Sequence, residues 1–123
     1  MAWDFEPDRP IYIQIVERLS VEIAAGRLNP GDRMLSVREL AAEAGVNPNT
    51  VQRALTELER GGMVVSMRGG AGRFVSNDSA VRDATKQKLL KDKAIMFIET
   101  VRSLGLEDGE IVGLIEDCLK KED

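Results

Sequence analysis

A chain of 123 residues, 43% of them hydrophobic, can build one modest core or a small domain with an appendage, and is too apolar to be a disordered segment. It has no histidine, one cysteine (Cys118) and no paired nucleophile and base, which excludes an internal disulfide, argues against a metal cluster or a bound cofactor, and leaves no basis for an enzyme. The net charge of −4 speaks against a uniformly basic surface, but the charge is unevenly spread: residues 33–73 hold six arginines against four glutamates, whereas 77–123 hold 8 basic and 11 acidic side chains.

All nine basic residues before position 77 are arginine, the side chain best shaped for bidentate contacts with phosphate and guanine. Neither a charged leader with an apolar core nor a run of about 18 apolar residues is present, so a cytoplasmic protein with no membrane partner is expected.

Residues 1–9 place Trp3 and Phe5 among acids and a proline, too short to fold alone and expected to lie as an arm on the domain or on a partner. From Pro10, Tyr12, Ile15, Val16, Leu19 and Ile23 recur at the spacing of one buried helical face, and Gly26 supplies a stop. The segment 28–32 (LNPGD) reads as a turn. Ser36 and Glu39 then fit a capping box, opening a second helix whose apolar stripe is Val37, Leu40, Ala41 and Ala44. Gly45, four residues after the small Ala41, makes a close helix crossing possible. Asn47 as N-cap and Pro48 as first helical residue begin a third helix that runs to about Arg60.

That third helix is the most informative element. Val51, Ala54, Leu55 and Leu58 define its core face, which leaves Asn49, Arg53, Thr56 and Arg60 outward, with Gln52 flanking. Glu57 and Glu59 fall to the sides, so the outward face offers amide, guanidinium and hydroxyl groups without a carboxylate. Base edges and phosphates require that combination. Two short strand patterns, 63–67 and 73–75, flank the segment 68–72 (RGGAG) and predict a β-hairpin with a glycine-rich tip. Three helices followed by a hairpin is the winged helix-turn-helix order. The bland alternative is an ordinary helix pair in an all-α domain; cap, turn, outer face and hairpin together favour a DNA-binding module.

Arg38 adds to this. It falls in the first turn of the second helix, where the helix dipole disfavours a cation, and a phosphate placed there would offset that cost; a solvated arginine is the plain alternative. Arg68, Gly69 and Gly70 suit a wing tip against the backbone or minor groove better than a nucleotide cradle, because no helix follows the glycines; a plain surface turn is the alternative. After a linker and cap at 76–79, Leu90, Ala94, Phe97, Ile98, Val101 and Leu104 form a long stripe, and Ile111, Leu114, Ile115, Cys118 and Leu119 a second beyond Gly105. The pair is expected as an antiparallel helical hairpin that buries its faces against another subunit, with Cys118 as a core residue rather than a reactive thiol.

The segments PGDRMLSVRELA (30–41), VNPNTV (46–51) and GRFV (72–75), with Ala54, Leu55, Leu58 and Gly61 or Gly62 between, resemble the N-terminal domain of GntR-family transcription regulators over residues 10–76. The two-helix tail, in place of a large effector domain, is similar to the YtrA subfamily. The resemblance implies a homodimeric repressor on a pseudo-palindromic operator. It also carries DNA-contacting roles to Arg38 at the start of the second helix, to Asn47, Asn49, Thr50, Gln52 and Arg53 in the third, and to a wing glycine at Gly69 or Gly70. Pro48 and Gln52 stand where many members have arginine, so their base preference does not transfer, and Leu35 stands where proline is usual.

The expected protein is mainly α with a small β-hairpin. Residues 1–76 form a winged helix-turn-helix with an N-terminal arm, and 77–123 a two-helix dimerisation domain. The alternative is a winged-helix module that binds protein instead of DNA, which the net acidity permits. Any small-molecule effector would sit at the dimer interface or between the domains, since a two-helix tail has little room for a cavity.

Overall fold

The computed structural model describes residues 3–121. It contains helices α1 (Ile11–Ala24), α2 (Val37–Ala44) and α3 (Pro48–Arg60), strands β1 (Val64–Ser66) and β2 (Arg73–Val75), and helices α4 (Ser79–Ser103) and α5 (Asp108–Lys121), with a 3-10 turn at Arg68–Gly70 between the strands. The chain divides into two compact units, Met1–Gln87 and Lys88–Asp123, the division falling within α4. Among the described residues no helix is long and apolar enough to cross a membrane.

In the first unit α1 and α2 both pack on α3, and the hairpin closes the remaining side. The core is made by Ile15, Leu19 and Ile23 of α1, Leu40 and Ala41 of α2, Val51, Ala54, Leu55 and Leu58 of α3, and Met34, Met63, Val64 and Val75 around the hairpin. Apart from Met34, which lies between the 28–32 turn and α2, these are positions that helical and strand periodicity mark as inward. Tyr12 and Val16, expected on the same face of α1, lie at its rim and are half-buried.

Local chemistry sets the helix ends. At α2 the Glu39 amide donates to Ser36 Oγ at 3.1 Å and the Ser36 amide donates to Glu39 Oε1 at 2.9 Å, so the predicted capping box is formed. The Ser36 amide first, and the neighbouring Ser36 hydroxyl next, hold the Glu39 carboxyl below the ordinary carboxylate range. Gly45, at φ 72°, ends α2 in the left-handed conformation that glycine adopts without a steric cost. The Trp3 amide donates to the Ala44 carbonyl at 3.2 Å, which gives a free helix-end acceptor its partner. At α3 the Asn49 amide donates to Asn47 Oδ1 at 2.7 Å, and Pro48 occupies the first turn.

The N-terminal arm is fixed by a buried side chain. Gln14 Nε2 donates to the carbonyls of Glu6 (2.8 Å) and Arg9 (3.0 Å), and its Oε1 accepts from the Glu6 amide at 2.8 Å. A glutamine inside the core face is tolerated because its amide group is satisfied in this way. Arg18 lies over the Trp3 ring, 4.1 Å from its centroid. The arm thus lies on its own domain; residues 1 and 2 are outside the described residues.

The hairpin pairs Val64 with Val75, Val65 with Phe74 and Ser66 with Arg73. Its strands are shorter than the apolar pattern suggests at 63–67, while 73–75 is as expected. The expected turn at 28–32 does more than reverse the chain. Arg33 forms an isolated antiparallel bridge with Phe74, and the amides of Gly31 and Met34 donate to the carbonyls of Val75 and Arg73 at 2.9 and 2.8 Å. The segment before α2 therefore lines the outer edge of β2 and ties the wing to the helix-turn-helix.

In the second unit the helices meet near their connection, where Val101 and Ile111 are buried. Gly105, at φ 96°, turns the chain, with the Leu104 and Leu106 amides donating to the Val101 carbonyl. Arg102 and Asp108 pair across the turn at 2.9 Å. Away from it the apolar stripes are open: Leu90 is 56% exposed and Leu119 64%, and Phe97, Leu114, Ile115, Cys118 and Leu119 line an apolar groove. Cys118, expected in the core, is exposed within the chain, because a hairpin of two helices has no third layer to cover that face.

Candidate nucleic-acid interface

The outer face of α3 presents Asn49, Gln52, Arg53 and Thr56, all exposed. Its carboxylates are occupied elsewhere. Glu57 pairs with Arg60 at 2.8 Å, which also takes Arg60 out of the set of uncommitted cations. Glu59 Oε1 accepts from Ser66 Oγ of β1 at 2.6 Å and from Arg73 Nε of β2 at 2.7 Å. The Ser66 hydroxyl, then the Arg73 guanidinium, keep the Glu59 carboxyl below its usual range. One oxygen at the end of α3 thus fixes both strands of the wing, and the face toward solvent stays free of negative charge.

The individual side chains differ in how free they are. Thr56 Oγ1 donates back to the Gln52 carbonyl at 2.8 Å, and Gln52 Nε2 stands 3.4 Å from Thr56 Oγ1, which aligns the glutamine amide along the helix. Asn47 uses its side-chain oxygen as the N-cap of α3, which orients its NH2 group as the donor it can offer to another partner. Thr50 is half-buried at the start of the helix. Arg38 is exposed in the first turn of α2, without an ion pair among the described residues. Arg53 lies over the Tyr12 ring of α1, 3.8 Å from its centroid.

The wing tip is built for backbone exposure. Gly69 and Gly70 have φ of 77° and 73°, and a Cβ added at either would meet nothing within 4 Å. Glycine is required there by backbone conformation and not by crowding. The Arg68 backbone begins the 3-10 turn, and its side chain lies outside the described residues. At Gly72 an added Cβ would stand 3.3 Å from Arg33 Nε, so the guanidinium of Arg33 rests on the wing's glycine. Arg33, Ser36, Val37, Met67, Gly70 and Gly72 are among the residues lining a groove between the wing and the start of α2.

Two residues of this surface were not singled out by the sequence. Tyr12 reads as core from its periodicity, and nothing in α1 indicates that its rim meets α3. Arg33 follows a Pro-Gly turn and carries no mark beyond its charge; only its pairing with Phe74, 41 residues on, brings it to the wing.

The family model for bacterial regulatory proteins of the gntR family matches residues 11–75. The HTH-type transcriptional repressor YtrA of Bacillus subtilis (strain 168) is 38% identical over 95 residues, covering 77% of this chain and 68% of that protein. Among solved structures, a GntR family transcriptional regulator from Listeria monocytogenes superposes with a TM-score of 0.81 at 34% identity over 92% of this chain and 98% of that one. The DNA-binding domain of AraR in complex with operator ORX1 matches with a TM-score of 0.55 at 28% identity, over 62% of this chain and 95% of that one. These homologues are transcription regulators and not enzymes, and the winged-helix fold is shared with them. The chain belongs to the GntR family of bacterial transcription regulators, is of the YtrA-like kind, and carries that family's DNA-binding domain.

Proposed function

We propose that this chain is a cytoplasmic repressor that binds a pseudo-palindromic operator as a homodimer. The observation that carries the reading is the outer face of α3, four exposed polar side chains with Glu57 and Glu59 of the same helix drawn into ion pairs and hydrogen bonds within the chain. In this reading Asn49, Gln52 and Arg53 read base edges, amides suiting adenine and the guanidinium suiting guanine. Arg38 and the wing residues 68–70 hold phosphates, and Asn47 and Thr50 flank them at the start of α3. The open stripes of α4 and α5 pair two copies, which sets half-sites about one helical turn apart or a small multiple of it. The repressor name of the Bacillus relative and the operator in the AraR complex support this reading.

The test begins with operator selection from a random DNA pool, followed by binding titrations over a range of salt. Arg53→Ala should flatten the preference for operator over scrambled DNA. Arg38→Ala should weaken both and make the salt slope shallower by about 1. Parent-like binding by both variants would remove these assignments. No binding to any DNA at low salt would favour a protein-interaction module, the reading that a net charge of −4 leaves open. The same solutions can be screened for a small-molecule effector at the dimer interface by its effect on operator affinity.

A further inference from the structure

We propose that Tyr12 is a positioning residue for sequence readout, holding Arg53 of the recognition helix in the conformation that meets a base. The inference rests on the proposed base-reading role of Arg53. Tyr12 belongs to α1, which no part of that reading places at the DNA. Its ring is half-buried and packed against the domain core, so it is a fixed platform, whereas Arg53 is exposed and has no carboxylate partner among the described residues. The guanidinium carbon lies 3.8 Å from the ring centroid, the distance of a cation over an aromatic face. The five N–H donors of a guanidinium lie in its own plane, so stacking on the ring occupies a face and leaves the donor fork open toward a guanine O6/N7 edge.

An arginine free in solvent loses rotamer freedom when it is fixed on a base. One already seated on an aromatic platform has lost much of that freedom on folding. The benefit appears only on DNA where the fork finds its base. Non-specific DNA, which engages the positive charge and not the fork, gains nothing from it. Tyr12 therefore acts on the ratio of specific to non-specific affinity.

The experiment uses the full chain with a selected operator, the same operator substituted at the base pair whose preference Arg53→Ala relaxes, and scrambled DNA. Tyr12→Leu keeps an apolar side chain at the core rim and removes the ring. It should lower discrimination at that one base pair by about two- to tenfold, the worth of one immobilised long side chain, with affinity for scrambled DNA and the salt slope unchanged. Tyr12→Phe should behave as the parent, and Tyr12→Leu added to Arg53→Ala should have no further effect. Parent-like or tighter operator binding by Tyr12→Leu, with Arg53→Ala still losing discrimination, overturns the positioning role while leaving Arg53 as a base reader. Retained discrimination in Arg53→Ala removes the base-reading assignment, and the role of Tyr12 with it. A measurement on the unsubstituted chain covers the case in which Tyr12→Leu does not fold. Tyr12 is the sole tyrosine, and its ring current should shift the Arg53 Cδ protons upfield in both the free and operator-bound protein. Loss of that shift on binding would mean that the ring stores the guanidinium and gives it up, which overturns the proposal.

Discussion

Removal of Glu59 tests how the wing is held. In Glu59→Ala, Ser66 Oγ and Arg73 Nε lose a common acceptor at 2.6 and 2.7 Å. Hydrogen bonds to a charged group are worth about 1.5–3 kcal/mol each when well shielded. Here the side chains of Arg73 and Glu59 are 21% and 34% exposed, so solvent screening brings each bond down to about 1 kcal/mol or less, and the pair to about 1–2 kcal/mol. With a urea slope of about 1–1.5 kcal/mol/M for a domain of this size, the unfolding midpoint at pH 7 should fall by about 1 M. Glu59→Gln keeps an acceptor oxygen and should lose about half as much. Because the folded-state pKa of Glu59 is depressed, its contribution is present above the ordinary carboxylate range and disappears as the pH falls through the folded value. The difference between parent and Glu59→Ala should therefore be constant from about pH 6 to 8 and narrow progressively below about pH 5. A midpoint within about 0.2 M of the parent at pH 7 would refute the claim that this carboxylate anchors the wing.

Loss of the capping box in Ser36→Ala should cost about 1 kcal/mol, seen as a fall in melting temperature of about 4–8 °C. Introducing a side chain at Gly69 should be tolerated sterically yet strain a left-handed residue. Gly69→Val should cost about 1–2 kcal/mol in chemical denaturation and weaken binding to operator and scrambled DNA alike. In the second unit, Ile115→Glu with Leu119→Glu should leave helical circular dichroism unchanged while light scattering falls from the mass of a dimer to the 13.6 kDa of one chain, with operator affinity falling in parallel. A dimeric mass for that variant would place the subunit contact elsewhere.

The parts of the fold that the sequence discloses are those fixed by neighbours in the chain. Ser36 with Glu39, Gly45, and Asn47 with Pro48 each carry their own stereochemistry, and the helix ends they mark are where the structure has them. The inward face of α3 follows from spacing alone, and so do Ile15, Leu19 and Ile23 of α1, whereas Tyr12 and Val16 stop at the rim and Gln14 and Ser20 are buried in addition. What stays hidden is the meeting of residues far apart: Arg33 with Phe74, Glu59 with Ser66 and Arg73, Tyr12 with Arg53. Periodicity tells which side of a helix turns inward, but not which long side chain at its rim reaches across to another element. Glu59 reads as a carboxylate at the side of α3, and its contacts with Ser66 and Arg73 of the wing hold it there. At Cys118 the apolar stripe is legible, but the side chain is exposed within the single chain, and its burial rests on the proposed pairing of two copies.

The charge arrangement around α3 has a consequence for life on a chromosome. Each copy brings a small set of arginines to a carboxylate-free face, on a chain whose overall balance is −4. Affinity for arbitrary DNA comes from counterion release and grows with each phosphate neutralised, while a genome offers some ~10⁶ to 10⁹ competing positions. A regulator built this way would be held only briefly at any of them. It would search by repeated dissociation through solvent more than by long slides, and little of it would be sequestered by bulk DNA. On the proposed reading as an operator-binding dimer, a modest number of copies per cell would then suffice, and operator occupancy would follow the supply of protein rather than the amount of chromosome present.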